Sequence, residues 1–312
     1  MPVRIRNVRI FDPADGKLSP LSTVVVMRDT ISQIIPAGGD DAPEDQTLID
    51  GEWGTLYPGL NDMHSHTTLQ SSLLFLAVGV TATRDMGNDN SFLQDLLPRI
   101  DAGEIAWPRM VPAGFIEGRS PYSAGFGFIP GTLEDALKAV RWYADRNYFE
   151  IKIYNSMNPD WVKPIAATAH RLGLGVTGHV PAFSSPDRVI EDGYDTIAHI
   201  NQLVLGWTLD PKEDTRTPLR LTALARAGAI DLSSQRVQKT VGLMKSHNVA
   251  LDTTAVILEQ LMLSRAAWAG GFSKPYADKN GITVAQDRNG TSIPPALFIQ
   301  PRTIGVTLAR SF

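Results

Sequence analysis

The stretch YPGLNDMHSH, residues 57–66, places two of the chain's six histidines two positions apart behind a Pro-Gly turn and an apolar approach. On a strand, side chains alternate faces, so His64 and His66 point to one side while Ser65 points to the other, and both imidazoles can meet a single ion. A polar loop that happens to contain histidine reads the same way in isolation. An H-x-H pair occurs too often by chance to decide between the two, so the decision rests on the rest of the chain.

The chain has 312 residues, 43% apolar and 20% charged, which is the balance of a globular protein with room for one large α/β domain or two ordinary ones. A formal net charge of -4 provides no broad basic field, so nucleic acid is not an expected partner. With no cysteine, thiolate nucleophiles, disulfides and Cys-ligated zinc are excluded, and any metal must rest on His, carboxylate or a modified side chain. The N-terminus, MPVRIRNVRIFDPADG, lacks the continuous apolar stretch of a signal peptide, and no run is long enough to cross a bilayer. The expected location is cytoplasmic, although a domain cut from a longer secreted chain would read the same.

Residues 3–35 read as short strands separated by Asp-Pro, Asp-Gly and Arg-Asp turns, the N-terminal part (1–55) of a small β-sandwich domain. From residue 56 the pattern changes. Apolar strands fall at 79–86, 109–115, 149–154, 175–180, 195–200 and 249–256, and helical segments such as TLEDALKAVRWYADRN (132–147), NPDWVKPIAATAHRLG (158–173) and SSQRVQKTVGLMKSHN (233–248) lie between them. Counting the stretch that ends in His66, this makes seven strands in βα series. No Gly-x-Gly-x-x-Gly follows the first strand. The expectation is an α/β fold with a (β/α)8 TIM-like barrel over 56–287, stopping short after strand 7 unless an eighth follows.

In such a barrel the reactive groups come from the C-terminal ends of the strands. His64 and His66 end the first strand, Lys152 lies near the end of the fourth, His179 ends the fifth and His199 ends the sixth. A single strand-end histidine is more often a hydrogen-bonded structural residue than a ligand. Four of them on three strands of one barrel favour a metal site. His170 and His247 lie on or at the end of helices, where solvent exposure or a helix C-terminal role suffices. Lys152, between Ile151 and Ile153, is a costly charge to bury. The alternative is an ion pair with Glu150 or another carboxylate, although Glu150 is expected to face the opposite side of the strand and so to be a poor partner. Beside a divalent cation, a desolvated lysine can react with carbon dioxide to give a carbamate with two anionic oxygens.

The ordered set RNVRIFD, MRDTISQIIP, YPGLNDMHSH, LAVGVTATRDMG, EIKIY, VTGHV and TIAHI resembles the amidohydrolase superfamily. Within it, the chain is similar to the imidazolonepropionase-like hydrolases and the metal-dependent Xaa-Pro and Xaa-Arg dipeptidases, over roughly the first 265 residues. The resemblance implies that His64 and His66 bind one metal ion, that Lys152, as a carboxylated lysine, bridges two ions, and that His179 and His199 bind the second. It implies Zn2+, two ions per chain with other divalent metals compatible, and hydrolysis of a C-N bond in a dipeptide-like or cyclic amide by a hydroxide held between the ions.

The departure lies near the C-terminus. The family places an aspartate at the end of the eighth strand, usually in a Gly-Thr-Asp stretch that does not occur here. Asp252 lies on the seventh strand, the wrong one for that role, and Asp287 in GITVAQDRNG is the nearest substitute. Residues 288–312 carry three prolines within TSIPPALFIQP and form an atypical tail rather than a final barrel helix. Uncovered strand edges in a shortened barrel would favour homo-oligomers. A metal-binding remnant with impaired turnover is the alternative to a working hydrolase. Arg119, Tyr122, Trp207 and Arg216, in the loops after strands three and six, are candidates to line a substrate site.

Overall fold

The structure, a computed structural model, describes residues 2–39 and 46–258. The chain divides into two compact units: residues up to Leu60 with Leu74–Thr81, and Asn61–Leu73 with residues from Ala82 onward. Asp287 and the tail at 288–312 lie outside the described residues.

The first unit is built on β1 (Val3–Asp12), β2 (Lys17–Leu18), β3 (Ser22–Met27), β4 (Thr30–Pro36), β5 (Thr47–Asp50) and β6 (Thr55–Leu56). They make one sheet in the order β2-β1-β3-β4, antiparallel along that path, with β5 and β6 added parallel to β1. Val8, Val24 and Val25 are its buried apolar residues. The two-residue Arg28-Asp29 turn, with Arg28 in the left-handed region, joins β3 to β4 as a hairpin in which Met27 pairs with Thr30.

The second architectural element is the parallel sheet expected from the βα series. Its strands are β7 (Leu60–Ser65), β8 (Val80–Asp85), β9 (Arg109–Ile116), β10 (Glu150–Ile153), β11 (Gly175–Gly178), β12 (Thr196–Ala198) and β13 (Ala250–Asp252), paired in sequence order as a nearly closed seven-stranded barrel. All seven match the strands read from the sequence. Helices α1 (Ser71–Ala77), α2 (Asn90–Asp101), α3 (Leu133–Ala144), α4 (Pro159–Arg171), α5 (Pro186–Glu191), α6 (Ile200–Thr208), α7 (Leu219–Thr222) and α8 (Gln235–Ser246) lie between the strands. Among the described residues no helix is long and apolar enough to cross a membrane.

The helix starts are chemically specified. Thr132, Asn158 and Ser185 accept from backbone N–H groups in the first turns of α3, α4 and α5, and Pro159 and Pro186 occupy first-turn positions where no N–H is missed. The segment after the sixth strand differs from expectation. NQLVLGWT reads as a substrate loop in sequence but forms α6, because the segment is buried on two sides, Leu203 in the main core and Leu205 against Leu209 and Ala223.

Strand register sorts the side chains into two sets. Ile151, Ile153, Val176 and Ile197 face the helices and join Val140, Tyr143, Val162 and Ile165 in the main core. Glu150 and Lys152 take the other face and pair in register with Ala113, Phe115 and Thr177, while Ala198 pairs with Asp252. The interior of the barrel therefore carries a small separate apolar cluster, Met86, Ala113 and Ala198, together with charged residues. The alternation that makes Ile151 and Ile153 core residues is what turns Lys152 inward.

Candidate metal centre

Lys152 is fully buried, and its Nζ lies 3.3 Å from His64 Nε2. The four strand-end histidines gather around it. Ring centroids are 5.6 Å apart for His64 and His66, 4.5 Å for His64 and His199, and 4.7 Å for His179 and His199. Tyr154, the next inward-facing residue after Lys152, packs against His179 with centroids 4.1 Å apart and the rings tilted by 37°. The structure thus brings together all five residues assigned to the site, while His170 pairs with Asp195 at 2.9 Å and His247 caps α8.

Each imidazole is held through Nδ1. His66 Nδ1 lies 2.7 Å from Gly87 O, His179 Nδ1 2.7 Å from Asn155 Oδ1, His64 Nδ1 2.6 Å from Asp252 Oδ2 and His199 Nδ1 2.7 Å from Thr254 Oγ1. Carbonyl and carboxylate oxygens only accept, so His64, His66 and His179 carry the proton on Nδ1 and keep a lone pair on Nε2. This is the arrangement in which outer hydrogen bonds orient metal-binding histidines. His179 Nε2 is buried and has no hydrogen-bond partner among the described residues. A buried polar nitrogen left open in this way is costly unless something binds it.

The local backbone is shaped around these side chains. Gly178, before His179, has φ +136°, and a Cβ there would overlap Ile153 O across the strand pair, so only glycine lets β11 approach β10 so closely. His199 adopts φ 71°, a sparsely populated conformation for a non-glycine residue, while its N–H donates to Asp252 O at 2.6 Å.

Burial sets the charge states. Desolvation pushes Lys152 down to about 7, partly offset by Asp85 and Asp252. His179 falls well below the ordinary histidine value and His199 falls to about 2, in both cases first through desolvation and then through neighbouring histidine and lysine charge. His64 is lowered by desolvation against the opposing pull of Asp252. His66 moves the same way, through desolvation and then the nearby Lys152 charge. Neutral imidazoles and a readily deprotonated lysine are the forms that bind cations.

These donors fit a divalent cation in chemistry and tautomer. Among the described residues, however, no group of three or more His, Asp or Glu side chains stands already arranged to hold a metal ion.

Several partners escaped sequence reasoning. Arg84 and Glu150 form a buried two-point ion pair at 2.6 Å, and Arg84 Nη1 also lies 3.9 Å from Asp252. Glu150 shares its face with Lys152, so the signal was an inward-facing acid in need of a cation. Asp252, set aside as lying on the wrong strand, faces the histidines. Asn155 and Thr254 gave no signal of their own. The loop candidates fare less well. Trp207 donates to Thr240 Oγ1 at 3.1 Å and Arg216 pairs with Asp214 at 2.7 Å, so both have structural partners.

The sequence matches no family model and no curated protein. Solved structures are similar in fold. A Xaa-Pro dipeptidase with methionine bound in its active site is 16% identical, covering 98% of this chain and 75% of its own, with a TM-score of 0.58. Ochratoxinase from A. niger is 17% identical over 99% of this chain and 80% of its own, with a TM-score of 0.56. A prolidase complexed with N-methylphosphonate-L-proline is 17% identical over 80% and 77%, with a TM-score of 0.56. The chain shares the fold of these three structures.

Proposed function

We propose that this chain is a metal-dependent hydrolase of C-N bonds, acting on a dipeptide-like or cyclic amide. The observation that carries the reading is the set of four imidazoles tied through Nδ1 around a buried lysine, with His179 Nε2 open. His64 and His66 would hold one Zn2+ and His179 and His199 the other. Deprotonated Lys152 would add to carbon dioxide, forming an N–C bond and releasing a proton, so that its carbamate oxygens reach both. When bound, the two ions would supply an activated water and polarise the amide carbonyl.

The chain's own residues do the rest. Gly87 O, Asn155, Asp252 and Thr254 fix the ring orientations, and burial keeps the rings neutral at pH 7. Amide cleavage by the similar dipeptidase and prolidase supports the choice of substrate class.

The test is zinc analysis of the purified chain combined with turnover on a panel of dipeptides and lactams. The reading expects about two zinc ions per chain and turnover abolished in His179→Ala. Bound zinc without turnover on the panel would instead mark an impaired metal-binding remnant. Absence of both would reject the proposal.

A further inference from the structure

β7 and β13 stand at opposite ends of the seven-stranded order, yet His64 at the end of one meets Asp252 at the end of the other, with Nδ1 and Oδ2 2.6 Å apart. The same short segment also reaches the second pair of histidines. Asp252 O accepts from His199 N at 2.6 Å, Thr253 O accepts from Ile200 N at 3.0 Å, and Thr254 Oγ1 meets His199 Nδ1 at 2.7 Å. Residues 252–254 therefore touch one histidine from each expected ligand pair. The Asp252 carboxylate is itself steadied by Arg84, 3.9 Å away, whose guanidinium is locked two-point onto Glu150.

We propose that Asp252 is the positioning residue of the site: its carboxylate holds His64 as the Nδ1–H tautomer and turns the Nε2 lone pair toward Lys152 and a bound cation. The Nε2 side rests on the metal-dependent reading above; the tautomer does not. The chemistry is that of a carboxylate–histidine pair. The Asp252 carboxylate accepts a hydrogen bond, so the ring proton sits on Nδ1, and Nε2 accepts from Lys152 in the metal-free chain and donates its lone pair to an ion in the loaded one. The seventh strand thus supplies a carboxylate facing the site, in an outer role distinct from the metal-binding aspartate that the resemblance places on strand eight.

The test reads the His64 tautomer by side-chain ¹⁵N NMR in the full metal-free chain, assigned with His64→Gln, and Zn2+ affinity by chelator competition. The parent is expected to hold His64 as Nδ1–H. Asp252→Ala is expected to lose that preference and to bind Zn2+ roughly 10- to 100-fold more weakly. Asp252→Asn, which keeps an accepting oxygen without the charge, should restore the tautomer and part of the affinity. A parent protonated on Nε2, or an alanine variant with unchanged tautomer and affinity, overturns the proposal. If Asp252→Ala does not fold, the parent and asparagine spectra decide it. If the parent binds no Zn2+, the hydrolase reading fails while the tautomer measurement still decides the role of Asp252.

Discussion

Lys152 Nζ lies 3.3 Å from His64 Nε2, and among the described residues no carboxylate forms an ion pair with it. The Arg84 guanidinium has instead taken the neighbouring acid, Glu150. A buried lysine in this setting is a poor ammonium and a good nucleophile, and that contrast has a measurable consequence.

Burial lowers Lys152 to about 7, from an ordinary lysine value of 10.5. Between those values the unfolded chain binds more protons than the folded one, so stability rises with pH across that window, by up to roughly 1.4 kcal/mol per pH unit. Urea unfolding of metal-free protein in bicarbonate-free buffer at pH 7 and pH 9 should show this rise in the parent and a smaller one in Lys152→Met. Equal slopes would mean that Lys152 is not desolvated.

The histidines set the acid side. His179 and His199 have folded-state values below that of an unfolded histidine, so the unfolded chain takes up protons first as pH falls below about 6.5. Stability should fall progressively from pH 7 to pH 5 in the metal-free chain. His199→Asn should flatten part of that loss. An unfolding free energy independent of pH over this range would contradict the burial of neutral rings.

Arg84 and Glu150 form a closed, buried pair. Removing one partner strands the other, so Arg84→Met or Glu150→Leu alone should cost about 3–5 kcal/mol, while the two together should cost far less than the sum. Chemical denaturation of the three variants forms the cycle. Additive losses would show that the pair is not coupled.

Gly178 pairs with Ile153 of β10 at φ +136°, where a Cβ would overlap Ile153 O. Gly178→Ala must move either strand and with it His179. The expected result is a loss of several kcal/mol, on the order of 2 or more, read as a lower thermal midpoint. A variant as stable as the parent would refute the close approach.

Much of this arrangement was legible in the chain. Alternation in EIKIY turned Lys152 inward between two core isoleucines, and strand ends identified His64, His66, His179 and His199, because parity and βα order are local properties of sequence. The helix α6 was less legible. Its apolar residues Leu203 and Leu205 do not distinguish a short buried helix from an apolar loop until the partner surfaces are known. Asp252 was correctly placed on the seventh strand, but its contact with His64 was not legible, for a different reason. Strand number says which βα unit a residue belongs to, whereas the meeting of β7 with β13 depends on how far the sheet curls, which no local pattern encodes. Asn155 and Thr254 act only through one ring nitrogen each, and such a hydrogen bond leaves no periodic trace.

The most direct test of the central claim is anomalous X-ray scattering at the zinc edge from crystals of the zinc-loaded chain. The account expects about two peaks, one beside His64 and His66 and one beside His179 and His199, with Lys152 between them. Zinc located only elsewhere, or no peak among these five residues, would contradict it.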